Sequence, residues 1–250
     1  MSDACWVFGW HAVRTLLTRH PARVMTLLVQ KGREDERMSE VLRLASQHSL
    51  RPEQRAVREL DQLSGGINHQ GIAAELRPSA NLGEGALDQI LDAAGAAPLV
   101  LILDGVQDPH NLGACLRSAD GAGVHAVVVP RDRAAGMTAT VRKVASGAAE
   151  TVPLIQVVNL SRTLKWLKER GLWLVGADGD APGTIFASNL QGPLGLVLGA
   201  EGTGMRRLTR EHCDVLAAIP MVGVVESLNV SVAAGVMLFE AVRQRTTRPA

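Results

Sequence analysis

The chain has 250 residues, 46% of them apolar and 20% charged, which excludes a disordered, collagen-like or disulfide-scaffold protein and leaves room for one large domain or two unequal ones. Twenty-six Lys and Arg against 25 acids give a net charge of +1, so bulk charge neither demands nor excludes a nucleic-acid partner. Four Trp, three Phe and no Tyr predict an aliphatic core and argue against an RNA-binding sheet paved with stacking aromatics.

In chain order, residues 5–77 read as a small alternating unit: a helix through HAVRTLLTRH, a strand VMTLLVQ, a charged helix ERMSEVLRLASQHS and a closing strand near GIAAEL, reached through the turn signals GG and NHQG. Residues 1–77 carry 11 basic and 9 acidic side chains, and ten of the basic ones are Arg. Arg forks pair bidentately with phosphate, although a merely solvated surface explains the same count equally well. The stretch RPSANLGEGALDQILDAAGAAP, with loop-like clusters around one short helical piece, predicts a linker over residues 78–97.

Beyond it, β-rich runs alternate with helical patterns. LVLILD is followed by NLGACLRSADGAG, VHAVVVP by TATVRKVASGA, and VPLIQVV by LSRTLKWLKERG; LWLVGA, PLGLVLGA and VLAAIP come next, and NVSVAAGVMLFEAVRQR closes the chain as a helix. This alternation predicts an α/β fold with a parallel sheet covered by helices on both faces. Cys5, Cys115 and Cys213 are odd in number and show no metal-ligand spacing, so the sequence predicts neither a disulfide framework nor a metal site and suits a reducing cytoplasm. Trp10, His11 and Arg14 interrupt what would have to be an apolar signal core, and no apolar run approaches membrane-spanning length.

In open parallel sheets ligands sit beyond the carboxyl ends of the strands, and three of the loops expected there are unusual. In the first, Asp108, Pro109 and Asn111 open a helix that carries Arg117. Asn111 reads either as a helix cap beside a surface arginine or as part of a site. In the second, a buried strand runs into Gly199, Gly202 and Gly204 with Glu201 among them. This departs from the dinucleotide fingerprint and lacks a P-loop Lys, leaving a plain turn or a loop that approaches a ligand closely. In the third, Ile219 and Pro220 end a strand, and Ser227 and Asn229 precede the last helix as caps or as part of a polar ligand floor.

Taken together and in this order, NLGACLR (111–117), LVLGAEGTGM (196–205) and IPMVGVVESLNVSVAAGVMLFE (219–240) resemble the three signature motifs of the SpoU-type (TrmH-like) ribose 2′-O-methyltransferases of the SPOUT superfamily. FGWHAV, LLTRHP and GGINHQGIAAEL are similar to the small L30e-like RNA-binding domain that precedes the catalytic domain in the bacterial 23S rRNA guanosine 2′-O-methyltransferases. The resemblance implies an L30e-like substrate-binding domain over 1–77 and a SPOUT catalytic domain over 98–246, whose C-terminal part threads a trefoil knot. It also implies a homodimer with shared active sites, in the cytoplasm. S-adenosylmethionine is the implied cofactor, held by Gly199, Ile219 and Leu228 with Leu198, Gly204 and Met221 beside them. Asn111, Arg117, Glu201, Ser227 and Asn229 match the catalytic set, with no metal. The implied activity is methylation of a guanosine ribose in 23S rRNA, of the peptidyl-transferase-centre type; a tRNA ribose methyltransferase and a non-catalytic RNA-binding or ribosome-assembly protein are the alternatives.

Family mechanisms make Arg117 either the general base or the group that orients the 2′-hydroxyl beside a phosphate. A guanidinium gives up its proton too reluctantly to serve easily as a base, which favours orientation. Glu201 would then hold Arg117 or Asn111, and Ser227 and Asn229 would anchor the cofactor or the loop. His11, His69 and His110 stay outside this set; His69, in the NHQG turn, reads as structural or as an RNA contact.

Overall fold

In a computed structural model of the chain, residues 5–66, 68–77 and 83–246 are described. The first five residues of the expected linker, 78–82, lie outside them. The chain divides into two compact units, Met1–Ala80 with Ser146–Thr151 and Asn81–Ala145 with Val152–Ala250.

In the first unit β1 (Cys5–Phe8) leads into α1 (Trp10–Arg19), followed by β2 (Val24–Gln30), α2 (Glu36–Gln47), β3 (Glu53–Arg55), α3 (Val57–Ser64) and β4 (Ile72–Leu76). The strands form one sheet in the order β1-β4-β2-β3. β4 pairs antiparallel with β1 and β2, while β3 runs parallel to β2. Its core is aliphatic: Val13, Leu16 and Leu17 of α1 and Met38, Val41 and Leu44 of α2 close on Leu27, Val29, Ile72 and Leu76 of the sheet. Asp35 starts α2 by accepting a hydrogen bond from the Met38 amide at 2.8 Å, as an N-cap carboxylate does.

The NHQG turn is held from within. The buried His69 accepts from the Gly71 amide at Nδ1 (2.9 Å) and lies 3.0 Å from Asp61 through Nε2, which gives the ring a structural role. Three elements here were not expected from the sequence. β1 is only four residues long, β3 is exposed at all three positions, and α3 buries only Leu60 and Ser64, so none carries a strong periodic signal.

The second unit opens with α4 (Glu84–Ala93), the helical piece inside the predicted linker, whose Leu87 and Leu91 are buried in the core below the sheet. There follow β5 (Leu99–Asp104), α5 (Pro109–Gly121), β6 (Ala126–Pro130) and α6 (Ala139–Ala145). After α7 (Ala148–Thr151), in the segment grouped with the first unit, the chain continues through β7 (Leu154–Val157), α8 (Leu160–Glu169), β8 (Trp173–Ala177) and β9 (Gly183–Thr184). It ends with β10 (Leu194–Gly199), α9 (Arg207–His212), β11 (Val215–Ala218) and α10 (Val230–Thr246).

The seven strands form one sheet, β7-β6-β5-β10-β8-β11-β9, and every pairing is parallel. All six residues of β5 are buried. That is the signature of a central strand covered on both faces, and it is why LVLILD is a continuous apolar run rather than an alternating one. On one face Val100, Ile102, Val128 and Val197 meet Leu87 and Leu91 of α4 and Leu160, Leu164 and Leu167 of α8. The two-residue β9 and the short α9 were not expected.

Parallel strands release their following loops at a common edge. The register Leu99↔Leu194 through Asp104↔Gly199 brings the ends of β5 and β10 level, so the loop before α5 and the loop after β10 leave the sheet side by side.

Candidate functional site

The first loop reaches its helix through Asp108, whose carboxylate accepts from the His110 amide at 3.0 Å, with Pro109 in the first turn. Asp108 therefore fills the cap. Asn111 is one turn further in, 9% exposed, and free to use its side chain elsewhere. Gly113 behind it packs so closely that an added Cβ would lie 2.7 Å from the Val144 side chain.

After β10 the chain folds back on itself. Ala200 and Gly204 exchange two backbone hydrogen bonds of 3.2 and 2.9 Å. A Cβ on Gly199 would fall 2.0 Å from the Gly204 carbonyl carbon and 2.1 Å from the Met205 amide, and Gly202 and Gly204 have φ of 76° and 64°. Glycine at these places lets the strand turn sharply and lie against its own return. The return is pinned by Asp104, buried at the end of β5. Its carboxylate accepts from the Arg206 amide at 2.9 Å and from Arg206 Nε and Nη2 at 2.6 Å.

In the third loop Asn229 caps α10. Its Oδ1 accepts from the Ser231 amide (2.9 Å) and hydroxyl (2.6 Å), and its carbonyl accepts from the Ala233 amide (2.9 Å). Its Nδ2 donates both to Asn111 Oδ1 at 3.0 Å and to Glu201 Oε1, and the same Glu201 oxygen lies 3.4 Å from the Val230 amide. One amide side chain thus ties together all three loops. Glu201 faces the Val230 amide and the positive dipole end of α10, a favourable place for a carboxylate. Its charge, behind burial, helps push the Cys115 thiol up to about 12, so Cys115 is an inert, protonated core residue.

These loops enclose a cavity of about 420 Å³. Its walls include Leu198, Gly199 and Gly204 from the second loop and Ile219, Met221 and Leu228 from the third, with Glu201, Ser227 and Asn229 at the polar side. Asn111 adjoins it through Asn229. Arg117 does not belong to these walls: six positions after Asn111, it is about 9 Å further along the helix and about 240° around it. There it is exposed and makes no hydrogen bond or ion pair among the described residues. Glu201 is accordingly held by Asn229 and not by Arg117.

Sequence reasoning missed two further wall carboxylates, Asp178 and Glu226, and the clamp between Asp104 and Arg206. Asp178 Oδ2 is held 2.6 Å from Arg210 Nη1. The available signal was positional, since Asp104 and Asp178 each punctuate the end of an apolar strand run. Among the described residues no group of three His, Cys, Asp or Glu side chains could hold a metal ion, and no helix is long and apolar enough to cross a membrane.

The cavity suits S-adenosylmethionine on its own chemistry. Its volume is that of a small-molecule site, Leu198, Ile219 and Leu228 offer apolar cover for an adenine, and Asp178, Glu201 and Glu226 place negative charge around a ligand that carries a sulfonium and an ammonium.

Comparison with known proteins agrees with this geometry. Residues 98–239 match the SpoU rRNA Methylase family and residues 6–82 match the family described as RNA 2'-O ribose methyltransferase substrate binding. The chain is 56% identical to the 23S rRNA (guanosine-2'-O-)-methyltransferase RlmB of Pseudomonas aeruginosa over 96% of either chain. It is 55% identical to the protein of the same name from Vibrio vulnificus, covering 96% of this chain and 97% of that one. Among solved structures it resembles the SpoU methyltransferase AviRb from Streptomyces viridochromogenes in complex with AdoMet, at 25% identity with a TM-score of 0.76, covering 97% of this chain and 91% of that chain.

Proposed function

The chain belongs to the SpoU rRNA methylase family, and we propose that it transfers the methyl group of S-adenosylmethionine to the ribose 2′-hydroxyl of a guanosine in 23S rRNA, in the peptidyl-transferase-centre loop. The observation that carries this is the junction at Asn229, which joins Asn111 and Glu201 at the edge of the cavity. Its three loops are the ones that bear the family's motifs.

Leu198, Gly199, Gly204, Ile219, Met221 and Leu228 hold the cofactor, which supplies an electrophilic methyl carbon. Asn229 fixes the mutual position of the other two motif loops and caps α10. Glu201 accepts from Asn229 and keeps that cap in place, and Ser227 sits in the adjoining wall. Arg117 offers a planar fork of N–H donors, so its part is to orient the 2′-hydroxyl and the neighbouring phosphate. The reaction then depends on positioning rather than on a covalent intermediate.

Arg117 meets that ribose in a site shared across a homodimer. Support comes from the apolar side chains left in solvent near the third motif: Val222, Val224 and Val225 in the loop, and Val232 and Phe239 on α10, are all more than half exposed. Exposed apolar patches of this kind mark protein contacts. The second unit is read as a SPOUT domain over 98–246 whose C-terminal loops thread a trefoil knot. The first, over 1–77, is read as an L30e-like domain that delivers RNA, with 78–97 joining the two along the chain while its α4 packs into the core of the second unit, and the whole protein is read as cytoplasmic.

The deciding experiment transfers labelled methyl from S-adenosylmethionine to 23S rRNA and maps the product. A single 2′-O-methylguanosine is expected. Cofactor binding without transfer to 23S rRNA would overturn the substrate, and absence of cofactor binding would overturn the enzyme.

A further inference from the structure

Among the described residues four that are not glycine have positive φ: Ser49, Gln70, Arg133 and Ser146. Ser49 and Ser146 lie just past the ends of α2 and α6, where a left-handed residue commonly closes a helix. Gln70 is tied down, its Oε1 accepting from the Trp10 amide at 3.0 Å. Arg133, with φ 59° in the middle of the loop between β6 and α6, has neither explanation. Its side chain is exposed and makes no hydrogen bond or ion pair among the described residues. Glycine would fit that backbone without strain, so a long cationic side chain there calls for a reason outside the fold.

The surroundings supply one. The loop is fastened to the segment that leads into α5 by the Ala135 amide, which donates to the Val106 carbonyl at 2.8 Å. The Arg133 carbonyl and the Ala200 side chain each lie 3.8 Å from the point a Cβ on Gly105 would occupy. Arg133 is therefore carried on a fixed backbone against the loops that bear Asn111 and Glu201. The acid beside it, Asp132, is mostly exposed and only loosely paired with Arg131 at 3.9 Å, so it leaves the Arg133 guanidinium uncompensated.

We propose that Arg133 is a phosphate-binding residue for the RNA backbone next to the reacting ribose, placed by its left-handed backbone beside the site. This rests on the function proposed above. A free guanidinium fork is the group that pairs bidentately with a phosphate.

The test uses the full-length protein, Arg133→Gly and Arg133→Lys, with binding to an in vitro transcript of 23S rRNA measured across a salt series, and S-adenosylmethionine affinity and melting temperature measured alongside. Arg133→Gly removes the charge while suiting the backbone, so it should melt at or above the wild-type temperature and keep cofactor affinity. It should bind the transcript about tenfold more weakly at moderate salt, with the slope of log K against log salt reduced by about 0.7 to 0.9, the contribution of one phosphate. Arg133→Lys should retain the slope. Wild-type affinity and slope in Arg133→Gly would overturn the proposal and assign the strain to the loop alone. Because the slope is read from binding, a wild-type protein that binds RNA but does not methylate 23S rRNA would overturn the proposed substrate without touching the result for Arg133.

Discussion

Replacing Gly199 by Ala tests how far cofactor binding depends on the return of the chain after β10. The new methyl would lie 2.0 Å from the Gly204 carbonyl carbon, and ordinary carbon–carbon contact needs about 3.5 Å, so the return strand must move by about 1.5 Å. The atoms in the way are backbone, which has no alternative rotamer. The two hydrogen bonds between Ala200 and Gly204 are lost or stretched, at about 1 kcal/mol each, and the overpacking adds about 1 kcal/mol. A loss of about 2–3 kcal/mol lowers the melting temperature of a protein this size by about 4–12 °C. S-adenosylmethionine affinity should fall at least about tenfold, since Leu198, Gly199 and Gly204 all line the cavity. Calorimetric melting and titration calorimetry with the cofactor read both effects. Gly179→Ala is the control, because Gly179 lines the same cavity and nothing lies within 4 Å of its would-be Cβ. If Gly199→Ala matched that control in melting temperature and affinity, the account of the glycine would be wrong.

Arg117→Ala should abolish methyl transfer while leaving cofactor affinity within a few-fold; near-normal turnover would remove Arg117 from the mechanism. Asn229→Asp keeps the acceptor that caps α10 but replaces the donor to Asn111 and Glu201 with a negative charge facing Glu201. Helix content by circular dichroism should be preserved, and turnover should fall by about tenfold or more. Hydrogen bonds from Arg243 and Gln244 hold the Glu240 carboxyl down at about 2, against an ordinary value of 4.5. A lowered folded-state pKa stabilises above the unfolded value, and that stability is lost as pH falls from about 4.5 towards 2. Glu240→Gln should therefore flatten the pH dependence of the melting temperature in that window and lower the melting temperature near neutrality, where the carboxylate's contribution is fully present.

The strands of the second unit were legible because a buried parallel strand is an unbroken aliphatic run, and LVLILD, AVVVP and LGLVLG are such runs. α5 was legible from Asp108 and Pro109, which mark a helix start chemically. The spacing rules stop at contacts between distant residues. Nothing local says that Asn229 meets Asn111, 118 positions earlier in the chain, nor that Asp108 takes the cap and releases Asn111 for that contact. The order of the motifs carried that information only through their resemblance to a family. β3, with three exposed residues, and the two-residue β9 are strands because a neighbour offers them hydrogen bonds, a fact stored in the neighbour. Arg117 illustrates the converse: the motif names it, and its place away from the cavity appears only in three dimensions.

The parallel sheet also dictates a timetable. Leu99 of β5 pairs with Leu194 of β10, so on the ribosome, at roughly 5–20 residues per second, β5 waits about 5–20 s for the strand that completes its central pairing. The last site component, the cap at Asn229, comes later still, after β11 and at the start of α10. During that interval the first unit has nearly all its sequence, whereas the catalytic half exposes aliphatic strands with no cavity to bind a ligand. A stall or truncation anywhere after β5 and before α10 would leave those strands as an aggregation hazard instead of a partly active enzyme.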